Sequence, residues 1–467
     1  MRIAAVDQGT TSTRVLVFED DAPPRVAHAV RHRQSYPQPG WVEHDPLELL
    51  TNIEACLAAA GPVDAIGIAN QGESCLAWDA VSGEPLSPVI VWQDNRTNDA
   101  IERLAAAGAA EGVAARTGLP LDCYFSASKL AWIVENIAPA RAALDAGRLR
   151  LGTTDSFFLD RLAGTFATDA TTASRTALMD LATLAWDEGL CRLFGVPREA
   201  LAPIRPTSAA FGAIGGTPVT ASVVDQQAAL RGHGCRAVGD AKITFGTGAF
   251  ALAVTGPDIA RQRTDGLIST VAWQTQAATT YALEGGVYDV GSVVEWALRI
   301  GILDAPSELA AFAAPPALSR GLAFVPALSG LACPQWDRNA AGLWIGMTTA
   351  TTRQDLQQSL LEGIAMQTRE VVRAMDKAIG LGDAISVDGG LTASPYFLQF
   401  LADVTGKTIV RRANAELTAY GCALLAGLPE SGGPSSADIA YSPGRPVKGA
   451  DARYAEALAR CGGWRSV

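Results

Sequence analysis

Histidine is scarce, with four residues in 467, and the eight cysteines (Cys56, Cys75, Cys123, Cys191, Cys235, Cys333, Cys422 and Cys461) form no CxxC pair and cluster little with those histidines. Neither a zinc site nor a disulfide scaffold is indicated. No run of Lys or Arg forms a basic stripe, and the formal charge is -11, so nucleic acid is not an expected partner. Apolar runs are short. The N-terminus passes from Arg2 through a few apolar residues straight to Asp7, too few for a leader, and no stretch of about 18 apolar residues follows. The expectation is a reduced, cytoplasmic protein without membrane insertion.

What is present suits a compact protein: 48% of residues are hydrophobic and 18% charged. The length allows two or three cores at roughly 150 residues each. Ile3 to Val6 and Arg14 to Phe18 read as strands joined by a Gly/Thr-rich turn. Ala241 to Phe245 and Phe250 to Thr255 repeat that arrangement around Gly246-Thr247-Gly248. This weak repeat predicts two related domains, 1–234 and 235–467, with the boundary in the glycine-dense stretch Gly232 to Gly239. Helical patterns at Pro46 to Ala59, Thr97 to Ala107 and Ser126 to Asn136 alternate with strand-like runs such as Val63 to Ala69 and Val89 to Trp92. In the second half a long helix, Arg353 to Ile379, precedes a strand at Ala384 to Val387 and a helix at Pro395 to Val404. Leu428 to Ser436 reads as a surface loop, and Ala452 to Ala459 as a final helix. The fold class is α/β. Its alanine-rich helical faces suit either a monomer or a homodimer.

Asp7-Gln8-Gly9-Thr10-Thr11-Ser12-Thr13-Arg14 places an acid at the end of a buried strand, then small residues and hydroxyls in a tight turn. Such a turn gathers backbone amides and hydroxyls around one anion, with Asp7 able to hold hydrated magnesium and Arg14 offering a charged fork. Local sequence alone leaves an ordinary hairpin equally acceptable. Asp225 follows the apolar-rich Thr217 to Val224, which puts it at the carboxyl end of a strand, where open α/β sheets bind ligands. There it suits either a helix cap or a general base for a hydroxyl. Gly246-Thr247-Gly248 is a second small-residue turn. A dinucleotide fingerprint fails there because the following residues are strand-like, and Gly406-Lys407-Thr408 is not a P-loop because Leu401 stands where its first glycine is required.

The octet at Asp7 to Arg14 resembles the first phosphate loop of the FGGY carbohydrate kinases, glycerol kinases in particular. The similarity continues through GWVEHDP (Gly40 to Pro46), IVWQDNRT (Ile90 to Thr97), TGLPLDCYFSASKLAW (Thr117 to Trp132), DATTASRT (Asp169 to Thr176), DQQAAL (Asp225 to Leu230), FGTGAF (Phe245 to Phe250), WDRNAAG (Trp336 to Gly342) and VDGG (Val387 to Gly390). The resemblance implies two ribonuclease-H-like, actin-like domains facing a cleft. It implies ATP and magnesium as cofactors, a small polyol or sugar as substrate, and Asp225 as the catalytic base. Thr10, Thr11, Ser12, Arg14, Thr247, Gly291, Gly390 and Ser394 fall on the nucleotide side, with Asp7 at the metal. Glu73, Trp92, Tyr124, Asp225, Gln226 and Phe250 fall on the substrate side. Ser394 stands where these kinases usually carry Asn, and Glu295 where they carry Gln. Glycerol kinases also have Arg immediately before the Glu of this site, whereas this chain reads Asn70-Gln71-Gly72-Glu73. The expectation from Gly72 is extra room beside Glu73. That leaves as alternatives a larger polyol or ketose, with Arg96 as the arginine placed to restore glycerol recognition, or a catalytically inert nucleotide sensor.

In some relatives of this type, fructose bisphosphate control depends on a loop arginine shortly before the catalytic segment. Ala213 to Pro218 reads AIGGTP, without a basic residue to offset desolvation of the phosphates. Kinase activity is therefore expected to be unaffected by fructose bisphosphate. Dose-dependent inhibition at low millimolar concentration in a steady-state assay would refute this.

Overall fold

A computed structural model of the chain describes residues 1–19, 22–260, 266–414, 416–430, 437–444 and 446–466. Two central sheets carry the fold. The first has six strands, and its core order is Arg25–Arg31, Ser12–Glu19, Arg2–Gln8, Ala65–Asn70, Thr217–Val224. The second has seven, and its core order is Thr279–Val287, Ala249–Gly256, Ala241–Phe245, Ala384–Gly389, Thr408–Arg411. In both, three antiparallel strands are followed by two parallel ones; in the second sheet Ile268–Gln274 adds an edge strand beyond Thr279–Val287. The repeat that the sequence shows only at its two Gly/Thr turns thus extends through both sheets.

The local chemistry explains these elements. Ile3 to Val6 are fully buried, as expected of a central strand covered on both faces. The helix Arg353–Ile379 starts where expected because Thr352 and Asp355 form a reciprocal capping box. Gly406, in the left-handed region, ends Pro395–Thr405, so Gly406-Lys407-Thr408 connects a helix to a strand. The final helix runs longer than expected, Ala450–Cys461. Of the loop expected at Leu428 to Ser436, residues 431–436 lie outside the described residues. No described helix is long and apolar enough to cross a membrane.

The two halves meet through the helices Asp225–Gly232 and Leu417–Leu425. The second of these comes late in the chain, yet Ala419, Cys422 and Ala423 share a core with Ile3, Ala5, Ala65 and Ala69 of the first sheet. A Cβ at Gly421 would stand 1.8 Å from the Ala228 carbonyl oxygen, and one at Gly232 would stand 1.9 Å from that of Leu417. The helix backbones touch, and only glycine permits it. Because Asp225 opens one of these helices, their spacing sets its position.

Gly421→Ala is expected to force the helices apart, at a cost of about 1–3 kcal/mol typical of overpacking, and to lower turnover by moving Asp225. Urea unfolding of the variant checks the first part. An unchanged midpoint would show that the contact yields without cost.

Candidate active site

Both Gly/Thr turns open onto one cleft. A cavity of about 450 Å³ is lined by Thr10 of the first turn, Gly246 to Gly248 of the second, and Gln71, Gly72, Glu73, Trp92, Tyr124, Asp225, Gln226 and Phe250. A second cavity of about 490 Å³ is lined by Phe245, Gly246, Thr247, Gly291, Glu295, Gly390 and Ser394, with apolar Val294, Leu298, Leu309 and Leu391. Gly246 and Thr247 border both. One chamber is rich in acids and aromatics, the other in apolar groups, and a small-residue turn lies between them.

In the first chamber three rings form a wall. Trp92 meets Tyr124 edge-on at 5.5 Å and Phe250 at 6.3 Å, and its indole Nε1 donates to Thr10 Oγ1 at 3.0 Å. The wall is thereby tied to the first turn. Asp225 ends the Thr217–Val224 strand and starts its helix, and Oδ1 accepts the Gln226 backbone N–H at 2.7 Å. Burial first, then the negative charges of Asp7 and Glu73, push its carboxyl pKa up to about 7. A carboxylate at this value is a competent proton acceptor near neutrality.

At the first turn Asp7 is buried and Arg14 Nη2 lies 2.7 Å from its Oδ2. Arg14 Nη1 reaches Glu416 at 3.0 Å. The fork expected to await an anion is therefore engaged by two carboxylates. Thr11 and Ser12 sit in the turn itself, which Gly9 N–H closes onto the Ser12 carbonyl. Gly291 starts its helix against the second turn, where a Cβ would stand 2.7 Å from the Gly246 oxygen. Gly389, at φ 94, packs on the Phe245 backbone, while Gly390 faces open space beside the second chamber. The Ser394 hydroxyl is already spent, donating to the Leu309 carbonyl and accepting the Phe397 N–H as a helix cap.

Gly72 lines the first cavity, but little room is left where a side chain at this position would begin. A Cβ there would meet Val224 Cγ1 at 3.1 Å and Arg175 Cγ at 3.6 Å, so two side chains already cover the glycine. Arg96 does not serve this site either. Its guanidinium bonds Asp94 and Glu43 and stacks 3.7 Å over Trp41, which fixes it elsewhere. Two arginines line the cavity, Arg338 and Arg175; Arg175 is 2% exposed, and its Nε donates to Glu73 Oε1 at 2.6 Å and its Nη2 to Glu284 Oε1 at 2.9 Å. Sequence reasoning missed it, along with Glu284 and Lys242. Lys242 Nζ donates to Gln226 Oε1 and to Thr244 Oγ1, the latter at 3.0 Å. The signals were there. Arg175 lies in the DATTASRT segment, and Lys242 is a buried cation within the mostly buried strand Ala241–Phe245.

The model of the FGGY family of carbohydrate kinases, N-terminal domain, matches residues 2–232, and that of the C-terminal domain matches residues 241–429. A glycerol kinase of Methylorubrum populi is 43% identical over 447 residues, covering 91% of this chain and 89% of the relative. One from Symbiobacterium thermophilum is 40% identical over 495 residues, covering 99% and 98%. Among solved structures, the Plasmodium falciparum glycerol kinase with ADP superposes with a TM-score of 0.90 at 31% identity, covering 98% of each chain. A ligand-bound xylulose kinase from Lactobacillus acidophilus, 21% identical, shares the fold with a TM-score of 0.86 and 99% coverage of each chain. With both domain models matched in order, a carboxylate in the cleft and two chambers joined at a phosphate-sized turn, this chain belongs to the FGGY family of carbohydrate kinases and is a phosphotransferase acting on an alcohol group.

Proposed function

We propose that the chain transfers the γ-phosphoryl group of ATP to a terminal hydroxyl of glycerol. The observation that carries this reading is the shared border at Gly246-Thr247. A nucleotide with its base among Val294, Leu298 and Leu391 and its phosphates at that turn directs its terminal phosphate into the chamber that holds Asp225. The relatives that support glycerol as acceptor are the glycerol kinases at 40% and 43% identity.

On this reading Trp92, Tyr124 and Phe250 cover the carbon backbone, and Glu73, Gln226 and Asp225 accept hydroxyl protons. Asp225 takes the proton of the attacking oxygen as the phosphoryl group moves in line, so that most of the acceleration comes from positioning and charge stabilisation. Thr10, Thr11, Ser12 and Thr247 supply hydroxyls and amides around the phosphates, and Gly291 and Gly390 let the nucleoside approach the backbone. Magnesium fits a site of this kind through Asp7 and the phosphates. Such an ion binds through one or two carboxylates, water and phosphate. When bound it offsets phosphate charge.

Asp225→Asn is expected to lower single-turnover rates about 10²-fold or more while ADP affinity stays near native, because the base acts on the acceptor. Near-native chemistry in that variant would remove Asp225 from its role. For the native protein, kcat/KM is expected to fall as pH drops through about 7, since protonated Asp225 accepts no proton, and to level off above it. A flat acid side would contradict this. Across a panel of glycerol, tetritols, pentitols and ketoses, glycerol is expected to give the highest kcat/KM, and a pentitol or ketose in first place would overturn the assignment.

A further inference from the structure

Resting on that reading, we infer that Arg175 is a positioning residue for the acceptor. It orients the Glu73 carboxylate and ties it to Glu284 on the opposite side of the cleft. Arg175 follows the short helix Ala170–Ala173 in the first half of the chain, and Glu284 lies on Thr279–Val287 of the second sheet. All three side chains are buried, at 2%, 4% and 4% exposure for Arg175, Glu73 and Glu284. The guanidinium donates from Nε to Glu73 and from Nη2 to Glu284 at 2.9 Å, while Nη1 lies 2.8 Å from the other Glu284 oxygen as an ion pair.

This geometry has three consequences. A planar fork bonded at both ends fixes the plane of Glu73, whereas a lysine, with a single ammonium, cannot hold two carboxylates on opposite edges in the same way. The stem of Arg175 lies beside Gly72, its Cγ 3.6 Å from where a Cβ at 72 would stand, so a long side chain at 72 would share space with the arginine. Glu284 pairs in register with Leu252 of the strand that carries Phe250, so the clasp joins the carboxylate that meets the substrate to the strand that supplies one wall of the chamber. The chamber is negative overall, because the carboxyl groups of Glu73, Asp94, Asp225, Glu284 and Asp289 outnumber the guanidinium groups of Arg175 and Arg338. Such a site favours a neutral polyol and disfavours a carboxylate-bearing one.

The test uses the full-length protein and three variants, Arg175→Lys, Arg175→Met and Glu284→Gln, with glycerol, glycerate and ADP. For Arg175→Lys and Arg175→Met, KM for glycerol is expected to rise about 10- to 100-fold, the scale of a charged hydrogen bond, with a smaller change in kcat and unchanged ADP affinity. Glu284→Gln keeps an acceptor for the fork, folds with one fewer buried charge, and is expected to raise KM only a few-fold while improving turnover of glycerate relative to glycerol. If the Arg175 variants are unstable, Glu284→Gln alone decides. An unchanged glycerate-to-glycerol ratio there, or an unchanged glycerol KM in folded Arg175→Lys, overturns the inference while leaving the kinase reading in place. If the native protein phosphorylates no polyol, both fall together.

Discussion

The cleft of this kinase must hold several carboxylates out of water at once, and the way their charge is balanced determines much of the rest. Glu73 and Glu284 are both buried and share Arg175, while Lys242, also buried, bonds the Gln226 side chain next to the base. Burial would weaken the hold of Arg175 on its proton, but Glu284 and Glu73 outweigh it, and the guanidinium stays charged. Among the described residues no cation forms an ion pair with Asp225. Glu73 and Glu284 thus share one positive charge, and Asp225 is left with a raised affinity for a proton.

That arrangement depends on two sheets of the same topology set face to face. In each, the turn of the leading hairpin lies at the cleft, so Thr10 and Gly246 to Gly248 reach the same cavity from opposite sides. Asp225 belongs to the helix that crosses Leu417–Leu425 at glycine contact distance. Any movement of the domains about that crossing changes the distance from Asp225 to the second turn. Substrate positioning and domain geometry are therefore one mechanical problem, with Arg175 and Lys242 bonding across the same gap from opposite halves.

Much of this was legible in the residues. The strands and helices around the site fall where alternation, capping and glycine placement put them. Thr217–Val224 ends at Asp225, Ser126–Asn136 begins and ends as read, and Arg353–Ile379 starts at its Thr-x-x-Asp cap. The spread of matching segments pointed to both domains and to Asp225, Glu73, Trp92, Tyr124, Gln226 and Phe250, which the fold brings into one cavity. These features are set by short-range chemistry, namely local backbone preference, side-chain period and which residue types sit at a strand's end.

Other features belong to tertiary structure. Gly72 looked like added space, but Val224 from another strand and Arg175 from a distant turn fill it, and no local pattern records what packs over a glycine. Arg14 looked like a free fork, but Glu416, some four hundred residues away in the chain, engages it. Arg96 looked available, yet it is held between Trp41 and Trp132. The sequence by itself determined which side chains can do phosphoryl-transfer chemistry and the elements that present them. Which cation faces which acid was decided only by the closing of one sheet on the other, because ion pairing depends on distance through space, and distance along the chain does not encode it.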